Sequence, residues 1–143
     1  MTRLTLIAEL SIPAVPPSVN DYTKQRRGGG KTLTERSREF KRTAYQSIGR
    51  HAPHKPSEKR IAVEVTIYAA DKRDSDIDNR NKLILDALEE AQFIKNDSQV
   101  DEIHTYRGKE IVPGGRVDIV LCEIDDRRQL AKITQYKKVY RSL

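Results

Sequence analysis

"RIAVEVTIYAADKRDSDIDNRNKLILDALEEAQFI", residues 60–94, decides how this chain folds, because its apolar period changes partway along. Ile61, Val63, Val65 and Ile67 alternate with Ala62, Glu64 and Thr66, the two-residue period of a strand. From about Arg80 the period lengthens: Ile84, Leu88 and Ala91 fall on one helical face with Leu85 beside them. Between the two lies "DSDIDNRNK", residues 74–82, with Asp74, Asp76 and Asp78 at alternate positions. The chain as a whole carries a formal net charge of +6. Carboxylates this close repel one another, and each raises the cost of ionising the next. A cation is the expected partner.

Working outward, "RLTLIAELSI" predicts a strand from about Leu4 to Ile12, stopped by "PAVPP". "SVNDYTKQRRGGGKTLT" predicts a loop or loose hairpin, its three glycines favouring a mobile cationic flap. Thr34 and Glu35 then open a helix to about Gly49, striped by Phe40, Ala44, Tyr45 and Ile48. "HAPHKPSEK" is a surface turn. "VDEIHTYRGKEIV" and "GRVDIVLCEI" predict two strands around "PGG", most simply an antiparallel hairpin. The last residues allow a helix with Leu130, Ile133 and Tyr136 or Tyr140 on one side. The order β, loop, α, β, α, β, β predicts an α+β fold, a mixed β-sheet with helices packed on it in two layers.

With 143 residues the chain fits one domain with a tail. Aromatic residues are 6% and charged residues 34%, so the core must rest on Ile, Leu, Val and Ala. Cys122 is the single cysteine, which excludes an intramolecular disulfide and suits a reducing cytoplasm; no Cys/His spacing of the zinc-holding kind occurs. No signal peptide and no run near the ~20 apolar residues of a membrane span is present, so neither export nor membrane insertion is expected. Residues 24–42 hold eight Lys/Arg against two Glu, a net of +6. Residues 71–102 hold ten Asp/Glu against five Lys/Arg, a net of −5. An acidic centre in a basic shell is the balance of a nucleic-acid enzyme: basic arms neutralise phosphates while carboxylates hold a metal.

Several roles compete for the acidic window. Asp78 sits where an N-cap would precede the helix, which leaves Asp74 and Lys82 unexplained. A calcium loop fails at its sixth position, Asn79, and at its twelfth, Leu85. A solvated acidic turn remains open. In an extended segment, however, Asp76 and Asp78 point the same way and can offer oxygens to one hard cation. Lys82 follows Asp78 by four residues, and Asp97 lies in the turn after the helix.

"DSDIDNRNKLILDALEEAQFIKNDSQV" closely resembles the RusA-type Holliday-junction resolvases. Their signature is D-x-D-N, a lysine three residues after the Asn, an L-D-A-L helix and an acidic D-x-Q-[IV] turn. "PPSVNDY" with its following basic loop and helix resembles the same family's N-terminal part, so the likeness spans about residues 12 to 124. Residues 1–124 thus form the resolvase-like domain, and 125–143 a basic tail outside the resemblance. The likeness implies a magnesium-dependent endonuclease, a homodimer that nicks two strands of a four-way DNA junction symmetrically in recombination and repair; the family is common on prophages. Asp76, Asp78 and Asp97 match the metal-binding carboxylates, Lys82 the essential lysine, and Asn79 the motif asparagine, with an orienting role behind the ligands. The family turn often carries two acids where this chain has Asn96 first.

The implied chemistry is metal-assisted phosphodiester hydrolysis at catalytic Asp76, Asp78, Asp97 and Lys82. Oxygen ligands favour Mg²⁺, with Mn²⁺ a substitute, over zinc. His51, His54 and His104 are not needed as bases. DNA contact is expected from Arg26, Arg27 and Lys31 on the glycine flap and from Arg36, Arg38, Lys41 and Arg42 on the adjoining helix. Two other readings are a non-cleaving, structure-specific DNA-binding protein and a broader branched-DNA nuclease. Lys82 beside the carboxylates argues against the first.

Overall fold

The structure, a computed structural model, describes residues 4–18, 21–73 and 80–125. Strand β1 (Leu4–Ile12) leads to a small hairpin, β2 (Thr23–Gln25) and β3 (Lys31–Leu33). Gly28, Gly29 and Gly30 turn that hairpin with φ of 89°, 108° and 77°, a region side chains other than glycine rarely enter. Helix α1 (Glu35–Ile48) begins where the sequence signals it, with Thr34 Oγ1 accepting from the Ser37 amide. After a 3₁₀ turn come β4 (Ile61–Tyr68), α2 (Asn81–Glu90), a second 3₁₀ turn (Asp97–Gln99), β5 (Val100–Arg107) and β6 (Arg116–Ile124). The cap position of α2 falls to Arg80. The expected helix in residues 126–143 lies outside the described residues.

The main sheet runs β1-β6-β4-β5, with β1 and β4 antiparallel to β6 and β5 parallel to β4. It is the mixed sheet of an α+β fold. Ile61, Val63, Val65 and Ile67 of β4 share one core with Val117, Ile119 and Leu121 of β6, and Phe40, Ala44 and Ile48 of α1 and Leu83, Ile84, Ala87 and Leu88 of α2 join it. Each fully buried aliphatic side chain contributes about 1.5–3 kcal/mol relative to exposure.

The expected β5–β6 hairpin does not form, because β4 lies between the two strands. The apolar alternation of β4 makes it the strand that gains most from neighbours on both sides. The α2 crossover sets β5 down parallel on one flank, as βαβ geometry requires. The loop 108–115 then passes across the end of β4, where the Gly108 amide bonds the Ile67 carbonyl at 2.8 Å and the Val112 amide the Ala69 carbonyl at 2.9 Å. Gly108 allows this crossing: a Cβ there would come within 2.2 Å of the Tyr68 ring. "PGG" therefore marks a bend over β4. No helix among the described residues is long and apolar enough to cross a membrane.

Candidate active site

Helix α2 sets the frame of the site. Its apolar face is buried, so Lys82, Asp86 and Glu89, three and four residues apart, lie together on the flank that remains. The chain leaves the helix through Gln92, at φ 67°, with the Phe93 amide bonding back to the Leu88 carbonyl at 2.9 Å. Phe93 and Ile94 are fully buried and pin the exit. The 3₁₀ turn carrying Asp97 follows.

That turn is built by its neighbours. Asn96 Oδ1 accepts from the Ser98 amide at 2.8 Å, completing with Gln99 a reciprocal capping box. Gln99 Oε1 accepts from the Lys95 and Asn96 amides, each at 2.7 Å, and its Nε2 donates to the carbonyls of Ser57 at 2.7 Å and Lys59 at 2.9 Å. Asn96 shapes the turn. The nearly buried Gln99 amide clamps it to the 57–59 loop. Gln99→Ala strands these four groups and will lower the unfolding free energy by about 2–4 kcal/mol, read from urea melts. A loss under about 0.5 kcal/mol would contradict this clamp.

Asp97 is thereby presented to α2. Lys82 Nζ lies 3.0 Å from Asp97 Oδ2 and 3.1 Å from Asp86 Oδ1. The hydrogen bond to Asp97, then that to Asp86, hold the ammonium well above the ordinary lysine pKa. Lys82 is thus held in its charged form. Its side chain is 57% exposed, so the charge stays open to an anionic substrate. Asp86 Oδ2 accepts from the Tyr22 hydroxyl at 2.9 Å.

Asp86, Glu89 and Asp97 each offer a carboxylate oxygen, all within 4.8 Å of one another. An all-oxygen, anionic set suits a hard divalent cation better than zinc. Of the expected ligands, Asp97 is in this group; Asp76 and Asp78, with Asp74 and Asn79, lie outside the described residues. Arg73 and Arg80, the described residues flanking that window, line one cleft of about 690 Å³ with Arg36, Phe40, Pro16 and Ala69. Lys82 spans from the first turn of α2, two residues after Arg80, to Asp97.

The expected DNA-contacting cations divide. Arg26, Arg27 and Lys31 stand exposed on the β2–β3 hairpin. Arg36 pairs with Asp21 at 3.3 Å on the cleft side of α1. Arg38, Lys41 and Arg42 line a shallow face with Leu33, Tyr45 and Glu90; there Lys41 pairs with Glu90 at 3.1 Å, and Arg38 contacts Glu35 at 3.3 Å and Thr32 at 3.2 Å. Asp86, Glu89 and Tyr22 did not emerge from the sequence as site residues. The Asp of the L-D-A-L helix, one turn beyond Lys82, was the available signal.

Residues 13–120 match the family model of endodeoxyribonuclease RusA. A crossover junction endodeoxyribonuclease of Enterobacteria phage HK97 is 33% identical over 110 residues, 77% of this chain and 90% of the relative. That of Escherichia coli K12 is 27% identical over 115 residues, 76% of this chain and 89% of the relative. The Aquifex aeolicus enzyme is 41% identical over 54 residues, 35% of this chain and 43% of the relative.

Proposed function

Because the chain belongs to the RusA family of endodeoxyribonucleases, we propose that it is a crossover junction endodeoxyribonuclease, resolving four-way DNA junctions by paired, symmetric nicks. The observation that carries the reading is the Lys82 ammonium held between Asp97 and Asp86 on a matched framework. Asp76, Asp78 and Asp97 are the residues to hold Mg²⁺, with Mn²⁺ as substitute. A metal held there would supply a water of lowered pKa and neutralise charge on the scissile phosphate.

The rest of the chemistry belongs to the chain. Lys82, permanently charged and solvent-facing, stabilises the negative charge that builds on the phosphate oxygens as the attacking oxygen arrives. Arg26, Arg27 and Lys31 lay the backbone of a DNA arm along the hairpin. A homodimer sets two such centres about one two-fold axis, matching two symmetry-related strands of a junction.

The test compares cleavage of a synthetic four-way junction, a Y-fork and linear duplex in Mg²⁺. Paired nicks in the junction alone support a resolvase, and equal cutting of the fork makes it a broader branched-DNA nuclease. Tight junction binding without cutting in any divalent metal overturns the nuclease reading. In the same assay, replacing both Arg26 and Arg27 by alanine will flatten the log–log salt dependence of junction binding by about two. An unchanged slope removes the hairpin from the DNA interface.

A further inference from the structure

Tyr22 stands at the meeting point of three elements. It directly precedes β2, and its carbonyl accepts from the Thr34 amide at 3.2 Å and from Ser37 Oγ at 2.8 Å, fixing its backbone to the start of α1. Its hydroxyl crosses to α2 and donates to Asp86 Oδ2, while Asp86 Oδ1 holds Lys82. Both oxygens of Asp86 are thus engaged by different side chains. The Asp86 side chain is 17% exposed, far less than an ordinary helix-surface acid. Burial, then the bond to Asp86, raises the Tyr22 pKa, so the phenol stays a donor.

An exposed i,i+4 ion pair stabilises a helix by about 0.2–0.5 kcal/mol and has no use for a tyrosine 64 positions away in the chain. The resemblance assigns Asp97 to the metal and no task to Asp86. With one oxygen on Tyr22 and the other on Lys82, Asp86 is the member of the Asp86, Glu89 and Asp97 group whose charge is directed at Lys82.

We infer that Tyr22 and Asp86 are positioning residues for cleavage: the Tyr22 phenol orients Asp86, Asp86 places the Lys82 ammonium, and the β2–β3 hairpin is thereby coupled to the catalytic lysine. This rests on the nuclease reading above. A DNA arm engaged by Arg26, Arg27 and Lys31 acts on the root of the hairpin, and Tyr22 is that root.

The experiment is a double-mutant cycle on single-turnover junction cleavage, with binding measured in Ca²⁺ and folding by thermal melt. Tyr22→Phe will slow cleavage by about ten- to a hundredfold, the range expected when a catalytic group is displaced by about 1 Å. Its junction affinity will stay within about twofold of wild type. Combined with Lys82→Met, Tyr22→Phe will cost nothing more, because both act through one ammonium. A tyrosine that merely pins the hairpin gives a loss that multiplies with Lys82→Met and weakens binding, which overturns the inference. If Lys82→Met cuts too slowly to measure, Tyr22→Phe combined with Asp86→Asn decides: no slower than the slower single variant supports the coupling, and a multiplied loss refutes it. Wild type that cuts no junction overturns the nuclease reading and the inference with it, whereas wild type that cuts while the losses multiply overturns the inference alone.

Discussion

Asp97→Asn will bind a four-way junction at least as tightly as wild type and cleave it about a thousandfold more slowly, a barrier increase of about 4 kcal/mol. The substitution conserves shape and removes charge. The 3₁₀ turn will survive, because its bonds come from Asn96 and Gln99, whereas the Asp97 carboxylate bonds outward to Lys82. Two consequences follow from the lost charge. A hard cation loses an anionic oxygen, and Lys82 loses the stronger of its two hydrogen-bond partners. Binding moves the other way: Asp97 belongs to an acidic group that repels phosphate, so neutralising it favours DNA. Gel-shift titration in Ca²⁺ and single-turnover cleavage in Mg²⁺, on one preparation with an unchanged melting curve, check both. Cleavage within tenfold of wild type would remove Asp97 from the centre.

What the sequence made legible, and what it hid, follows from the range of each interaction. The Thr34 cap, the β1 span and the alternation of β4 are local patterns, and each appears in the structure where the residues place it. The expected β5–β6 pairing does not form, although "PGG" is also a local pattern. It competed with a nonlocal one, the gain to β4 of strands on both sides, and the nonlocal term prevailed. Asp86 and Glu89 were hidden for a related reason: on an isolated helix they are ordinary exposed acids, and only the folded chain brings Asp97 beside both and Tyr22 across to Asp86. Gln99 stands in the D-x-Q-[IV] turn, yet its clamping role was hidden further still. Its acceptors are backbone carbonyls of Ser57 and Lys59, which carry no mark in a sequence. The motif thus pointed to the family, while the contacts that Lys82 and Asp97 make with their neighbours required the folded chain.

Lys82→Met will reduce cleavage by about a hundred- to a thousandfold, the loss typical of removing one preorganised stabiliser of transition-state charge. Methionine keeps most of the stem and leaves the helix intact, so junction binding will fall only slightly, by the value of one exposed cation. Lys82→Arg separates two roles that a simple knockout confounds. Were Lys82 a proton acceptor, arginine, which does not deprotonate in proteins, would be as inactive as methionine. A lysine held charged by Asp97 and Asp86 needs only its positive charge, and arginine supplies that in a bulkier, planar form. Lys82→Arg will therefore recover at least tenfold over Lys82→Met while staying below wild type. Equal inactivity of the two variants, with both folded and both binding junctions, would return Lys82 to the role of a base. Partial rescue would fix its part as charge held in place by the Asp86 and Asp97 contacts.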